Sequence, residues 1–237
     1  MAIVNSRVLS TSVDCFEIEC PDGLYFDVGQ YFLASSTEIL EAAPLVLFPI
    51  AKEDRKLKIS LPFPDQWLTG MPLMIRGPLG KGFTLPVAAR RIALVHFGIS
   101  AQHGSVFAPL IESGLNAGGE VVFYGDTLPI NLPTAVEVLP LNQVADTWKW
   151  ADYMAAEIEQ SQLDILLQLL MQKTESRLPD QSEVLIHTPL ICGGAAECGL
   201  CSVKTQKGYR LACKDGPVFS LDDLEFPEAL RSVRNRR

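Results

Sequence analysis

The chain of 237 residues has no apolar run long enough to cross a bilayer as a helix. Its longest such run, Ile165–Met171, already contains Gln168. The first residues, MAIVNSRVLS, lack the charged-then-apolar pattern of a signal peptide, so a soluble, cytoplasmic protein is expected. Positive charge is also in short supply. Twenty Lys and Arg face 28 Asp and Glu, for a net charge of −8, which argues against nucleic acid or an anionic membrane as the main partner. The basic residues Arg231, Arg234, Arg236 and Arg237 read as a solvated, frayed end. Histidine is scarce, with three in all. His96 and His103 flank a glycine turn and His187 ends a predicted strand. No two have metal-ligand spacing, so all three read as structural. Internal repeats and low-complexity stretches are missing as well.

What remains is a chain that is 48% hydrophobic and long enough for one or two compact domains plus an appendage. Residues 1–88 read as six short strands: Ile3–Ser10, Asp14–Cys20, Tyr31–Ser35, Leu45–Ala51, Lys56–Leu61 and Met71–Arg76. Turn signals separate them, at Pro21–Gly23 and in the proline-rich stretch Leu61–Pro64, and the spacing fits a small antiparallel barrel.

After Pro86 the pattern changes. Arg91–Phe97 and Glu120–Tyr124 are near-continuous apolar runs, as expected of strands buried on both faces. A helix is predicted at about Ser105–Asn116, and further strands at Ala135–Leu139 and Glu183–His187. Strand–helix–strand order implies a parallel, nucleotide-binding-type sheet over 89–186. Asp152–Met171 carries apolar residues at helical spacing, including Ile158, Leu163, Leu166 and Leu170, although Trp150–Ala155 also reads as a strand.

The chemistry is concentrated in Cys192, Cys198, Cys201 and Cys213, spaced C-x5-C-x2-C-x11-C. A compact trio followed by one later cysteine is how a chain wraps a [2Fe–2S] cluster. Gly193, Gly194 and Gly199 let backbone N–H groups turn toward inorganic sulfide. Zinc is the rival. Structural zinc sites usually pair two C-x2-C knuckles, and here only Cys198 and Cys201 form one. Cys15 and Cys20, at the ends of CFEIEC, read as buried unreactive thiols, and nothing in the chain calls for a disulfide framework.

CGGAAECGLC followed by YRLACKDGPVF resembles the cluster domain of the electron-transfer subunits of dihydroorotate dehydrogenase, within the ferredoxin-reductase superfamily. Cys213, Asp215, Gly216, Pro217, Val218 and Phe219 all fit that family's tail motif, while the first loop has one extra residue. Gly77-Pro-Leu-Gly80-Lys-Gly82-Phe83 resembles the segment that closes the family's barrel. The resemblance implies a β-barrel of the FAD-binding type over 1–88, an NAD-binding-like α/β domain over 89–186, a [2Fe–2S] domain over 187–226 and a tail over 227–237.

Two motifs of that family are eroded. Its R-P-[IL]-S strand corresponds to Phe48-Pro49-Ile50-Ala51, without the arginine that would hold a pyrophosphate. Its G-G-G-I-G turn corresponds to His96-Phe97-Gly98-Ile99-Ser100, without two of the glycines that let backbone approach phosphate. Its C-G-P motif is also missing, with Ala155-Ala156-Glu157 in roughly that place. By resemblance, Pro49, Ile50, Ala51, Gly77, Pro78, Gly80 and Gly82 are the candidate FAD contacts, and direct use of NAD(P)H is not expected. The resulting expectation is an electron-transfer subunit that relays single electrons between a flavin or reduced carrier and a catalytic redox partner, itself a flavoprotein, in a hetero-oligomer. The alternatives are an FAD-containing NAD(P)H oxidoreductase subunit and a non-catalytic scaffold with a structural zinc site.

Overall fold

A computed structural model describes residues 2–11, 15–38, 43–60, 64–98, 106–125, 128, 132–147, 150–170, 179, 181–190, 192–196 and 198–226. The turn at 61–63, Ile99, Ser100, His103 and the arginines of 231–237 lie outside the described residues.

The first sheet contains β1 (Ala2–Thr11), β2 (Cys15–Glu19), β3 (Tyr31–Ser36), β4 (Leu45–Leu47), β5 (Pro49–Glu53), β6 (Lys56–Ser60) and β7 (Pro72–Leu79). The order is β4-β3-β7-β1-β2-β6-β5, antiparallel throughout. The predicted strand Leu45–Ala51 is in fact two. Leu45–Leu47 pairs with β3 and Pro49–Glu53 with β6, and Phe48 alone separates them. The two edge strands are therefore consecutive in the chain, which brings the sheet round to a near-closed barrel. Alternation drives this: Phe16 and Ile18 of β2 point inward, where they meet Leu57, Ile59, Phe32, Leu73 and Ile75. Trp67 caps that core, edge-on to Phe16 at 6.3 Å.

The second sheet takes β8 (Arg91–Phe97), β9 (Glu120–Gly125), β10 (Glu137–Leu139), β11 (Tyr153–Glu159), β12 (Gln181–His187) and β15 (Val218–Ser220), in the order β10-β9-β8-β11-β12-β15. All neighbours are parallel except β15, which runs antiparallel to β12. Helix α1 (Ala108–Asn116) packs on the face carrying Ile92, where Gly114 lets it approach closely. Short helix α2 (Val144–Thr147) and helix α3 (Leu163–Leu170) follow in the chain. The helical reading of 152–171 is overturned over its first half, where Tyr153–Glu159 is a central strand between β8 and β12. A strand buried on both faces has no period-2 signature, so its apolar residues fall by accident on helical spacing with those of α3.

Hairpin β13 (Ser202–Thr205) and β14 (Gly208–Leu211) and the one-turn helix α4 (Ala212–Asp215) complete the chain's described C-terminal part, with β15 added to the large sheet. One apolar core runs from Tyr31, Leu33 and Leu79 of the barrel through the sheet to Cys201, Val203, Cys213 and Phe219.

The closest join lies at Gly80. Its φ is +74°, and a Cβ there would fall 2.5 Å from the carbonyl oxygen of Gly216, while the Lys81 N–H donates to that same oxygen at 2.6 Å. Gly80→Ala is accordingly expected to destabilise by at least about 1–2 kcal/mol, from left-handed backbone strain and the clash together. Urea unfolding measures this, and a change below about 0.5 kcal/mol, the size of an ordinary surface substitution, would contradict the join.

Candidate metal centre

The four cysteines lie on the loop after β12, at the start of β13 and on α4. Cys201 and Cys213 are buried, with their Sγ atoms 3.2 Å apart. The Ala212 N–H bonds the Cys201 carbonyl at 2.9 Å, so the hairpin itself holds this pair together. Cys192 is half-buried, and its thiol contacts both Cys198 and Cys213. Cys198 is exposed. The four thiols thus form a connected set with one solvent-facing edge. Among the described residues, no three His, Cys, Asp or Glu side chains are arranged about a single metal-ion position.

The thiols differ in acidity. Backbone hydrogen bonding at Ala196, then at Gly194, outweighs desolvation and holds Cys192 down to about 7. Burial, reinforced by the neighbouring Cys201, pushes Cys213 up to about 12. The Cys192 thiol is therefore more readily ionised than Cys213, and a cation held among them favours the thiolate form of both. An all-sulfur donor set of this kind suits an iron–sulfur cluster, and the loop is closed by turns in which the Gly193 N–H donates to the Leu190 carbonyl at 3.1 Å. Gly193 is required there. Its φ is +52°, and a Cβ would collide with the Arg76 guanidinium.

The barrel holds this loop from below, through residues that sequence reasoning missed. Arg76 Nη2 on β7 donates to the Cys192 carbonyl at 2.6 Å, and Tyr31 Oη on β3 donates to the Cys213 carbonyl at 3.2 Å. Nothing in the local sequence marks either residue, because their partners lie 116 and 182 positions away.

The candidate flavin contacts separate into two groups. Pro49 and Ala51 lie on β5, in register with Ile59 and Lys58. Gly80 and Gly82 lie instead against Gly216 and against Asp27 and Val28, with Gly77 and Pro78 at the end of β7. A cavity of about 380 Å³ opens beside Gly80–Gly82. Its ionisable lining is Asp27, Glu183, Asp215, Asp223 and the single cation Lys81, and it includes none of Pro49, Ile50 and Ala51. Four carboxylates against one ammonium make this particular cavity a poor seat for a pyrophosphate. Phe48 packs edge-on to His187 at 5.1 Å between the barrel and the sheet.

A second polar group was legible only in three dimensions. Glu157 is 1% exposed and lies between His96 and His187, with His187 Nε2 at 2.9 Å from Oε1 and His96 Nδ1 at 3.3 Å from Oε2. Burial alone would raise the carboxyl, but the hydrogen bond from His187 and the nearby His96 ring overcome it and hold Glu157 down to about 2. At the strand's start, Arg91 and the Arg90 and Arg91 N–H groups hold Asp152 near 2 as well.

Residues 190–225 match the family model described as the iron–sulfur cluster binding domain of dihydroorotate dehydrogenase B, so this segment is an iron–sulfur domain. The electron transfer subunit of dihydroorotate dehydrogenase B (NAD(+)) from Clostridium acetobutylicum is 25% identical, over 85% of this chain and 91% of the relative. The subunit of the same name from Clostridium perfringens is 27% identical over 67% of this chain and 69% of the relative. Among solved structures, one described in a study of flavin-based electron bifurcation, the NADH-dependent reduced ferredoxin–NADP oxidoreductase, superposes with TM-score 0.68 at 14% identity, over 98% of this chain and 94% of that one. The ferredoxin reductase of carbazole 1,9a-dioxygenase gives 0.59 at 13% identity, over 77% and 68%. At such identities the likeness is one of fold, and it shows the ferredoxin-reductase arrangement of barrel and sheet.

Both carboxylates near 2 stand below their ordinary values, so the stability they contribute is fully present above about pH 4.5 and is lost as pH falls toward 2. Glu157→Gln should flatten the acid limb of a stability–pH profile followed by urea unfolding. An unchanged limb would show that Glu157 is not held ionised.

Proposed function

We propose that this chain is an electron-transfer subunit of the dihydroorotate dehydrogenase type, carrying a [2Fe–2S] cluster on Cys192, Cys198, Cys201 and Cys213 and serving a catalytic flavoprotein subunit in a hetero-oligomer. The observation that carries this reading is the connected set of four thiols, within the matched segment 190–225, hydrogen-bonded to the barrel through Arg76 and Tyr31. The cluster, when bound, supplies reversible one-electron chemistry. The protein's own residues do the rest. The thiolates hold it, Arg76 and Tyr31 orient the loop's first and last ligands, and the buried Cys201–Cys213 side excludes water.

Electrons enter or leave at the Cys198 edge, the exposed side of the set. No acid or base is needed for that transfer. The division of labour is a barrel over 1–88, a nucleotide-binding-like sheet domain over 89–186 and the cluster domain over 187–226. The flavin is supplied by the partner, since the cavity beside Gly80–Gly82 is acidic and Phe48 stands where the family's arginine would be. NAD(P)H is not bound directly, because Ser100 and His96 replace the phosphate-approaching glycines and Glu157 occupies the place of the nicotinamide motif. In the relatives' pathway this places the chain in pyrimidine synthesis.

Anaerobically purified protein should show broad absorption between roughly 400 and 550 nm that bleaches with dithionite, and about two irons per chain. Cys198→Ser should abolish it. Colourless protein with one zinc per chain would overturn the electron-relay reading, and resolved flavin peaks on the isolated chain would overturn the assignment of flavin to the partner.

A further inference from the structure

The His96–Glu157–His187 group has no part in holding the cysteine centre, yet it is built across three adjacent strands of the parallel sheet. His96 of β8 stands in register with Glu157 of β11, and His187 of β12 stands in register with Glu159, one step further along the same face. Glu157 and His96 are almost completely buried, and His187 is partly open, with its side chain 19% exposed. His96 Nδ1 and Glu157 Oε2 face each other at 3.3 Å, but neither makes an aligned hydrogen bond.

A buried ionised carboxylate requires a compensating cation, and among the described residues the His96 and His187 imidazoles are the groups that ion-pair geometry places against it. One imidazolium balances the charge of such a carboxylate. A second proton is opposed by repulsion between the rings, and negative charge appearing nearby removes that opposition. Such a source lies along one packed path. His187 meets the Phe48 ring at 5.1 Å, Phe48 meets Tyr31 at 6.1 Å, and Tyr31 Oη bonds the Cys213 carbonyl. Tyr31 and Phe48 are buried, so a change of charge at the thiolates acts on His187 through an interior of low dielectric rather than through water.

Other titratable groups on this face, among the described residues, are few. Glu159 lies beside His187 on β11, and Glu183 is engaged by Tyr153 Oη and the Thr84 N–H. Helix α1 packs Leu110, Ile111 and Gly114 inward and carries Glu112 on its exposed side. The barrel contributes Phe48, with Tyr31 and Arg76 behind it.

We propose that His96, Glu157 and His187 form a redox-linked proton site, which takes up one proton when the cysteine-held centre takes up one electron. The electron comes from a one-electron donor such as a partner's reduced flavin. The proton comes from solvent and forms a new N–H bond on His187, the ring with access to water. No other bond forms or breaks, and both leave on reoxidation. This rests on the electron-relay reading above.

The test is the midpoint potential of the iron-loaded protein, followed spectroscopically from about pH 6 to about pH 9, the span over which a histidine changes charge. At a fixed applied potential, the ratio of reduced to oxidised protein should fall by up to about tenfold per pH unit across the linked range. In His187→Asn and Glu157→Gln the ratio should become independent of pH. Should Glu157→Gln fail to fold, His187→Asn decides alone, because its side chain lies at the open edge of the group. A pH-independent potential in the unmodified protein, or a slope that persists in His187→Asn, overturns the inference. Protein without a bleachable iron chromophore overturns the electron-relay reading and this inference with it, whereas a chromophore with a flat potential overturns this inference alone.

Discussion

Two hydrogen bonds from the barrel to the cysteine segment organise this molecule: Arg76 to the Cys192 carbonyl and Tyr31 to the Cys213 carbonyl. They seize the first and last cysteines of the set from two paired strands, β7 and β3. A glycine-rich loop has little side-chain packing of its own, and its conformational entropy would otherwise oppose a fixed arrangement of four thiols. With both ends tied to a sheet, the stretch around Cys198 is the part of the cysteine loop that faces solvent among the described residues. The charge on Arg76 strengthens its bond, and burial keeps water from competing with Tyr31 for its acceptor.

The same join lies along the core that runs from one side of the barrel through the sheet to the cysteine segment, beside the barrel's own separate core. Gly80 and Gly216 meet backbone to backbone, Pro217 accepts from Ile186 of the large sheet, and β15 extends that sheet beyond β12. The turn Asp215–Pro217, which closes the cluster segment, is therefore also the contact between barrel and sheet. The rings of Tyr31, Phe48 and His187 pack in succession from the barrel to the sheet.

The arrangement has kept the ferredoxin-reductase frame while changing its electrostatics. Where the frame offers a crevice at the carboxyl ends of parallel strands, this chain places a buried carboxylate flanked by imidazoles. Beside the barrel's closing loop it places four carboxylates around one lysine. Both place negative charge where a dinucleotide's phosphates would be repelled. The cysteine spacing and its turn are retained over this altered frame.

Much of this was legible in the chain itself. Alternation along CFEIEC, the apolar runs RIALVHF and EVVFY, and the C-x5-C-x2-C-x11-C spacing are local patterns, and local patterns follow from side-chain period and from ligand geometry. Strand type, the succession of barrel and parallel sheet, and a candidate ligand set could be written down from them. The stretch Tyr153–Glu159 stayed open between helix and strand in its first residues and was read as helix in its last, because a strand buried on both faces carries no period to read. The break at Phe48 was hidden because its two halves differ only in which distant strand they pair with. Arg76, Tyr31 and Glu157 carry no motif. Each acquires its role from a partner brought to it by the fold: a carbonyl more than a hundred residues away for the first two, and imidazoles on neighbouring strands for the third. Residue types and spacings determined what chemistry the chain has available. Only the tertiary structure decided which charges are buried together, because burial and long-range contact are properties of the packed sheet and barrel and not of any segment within them.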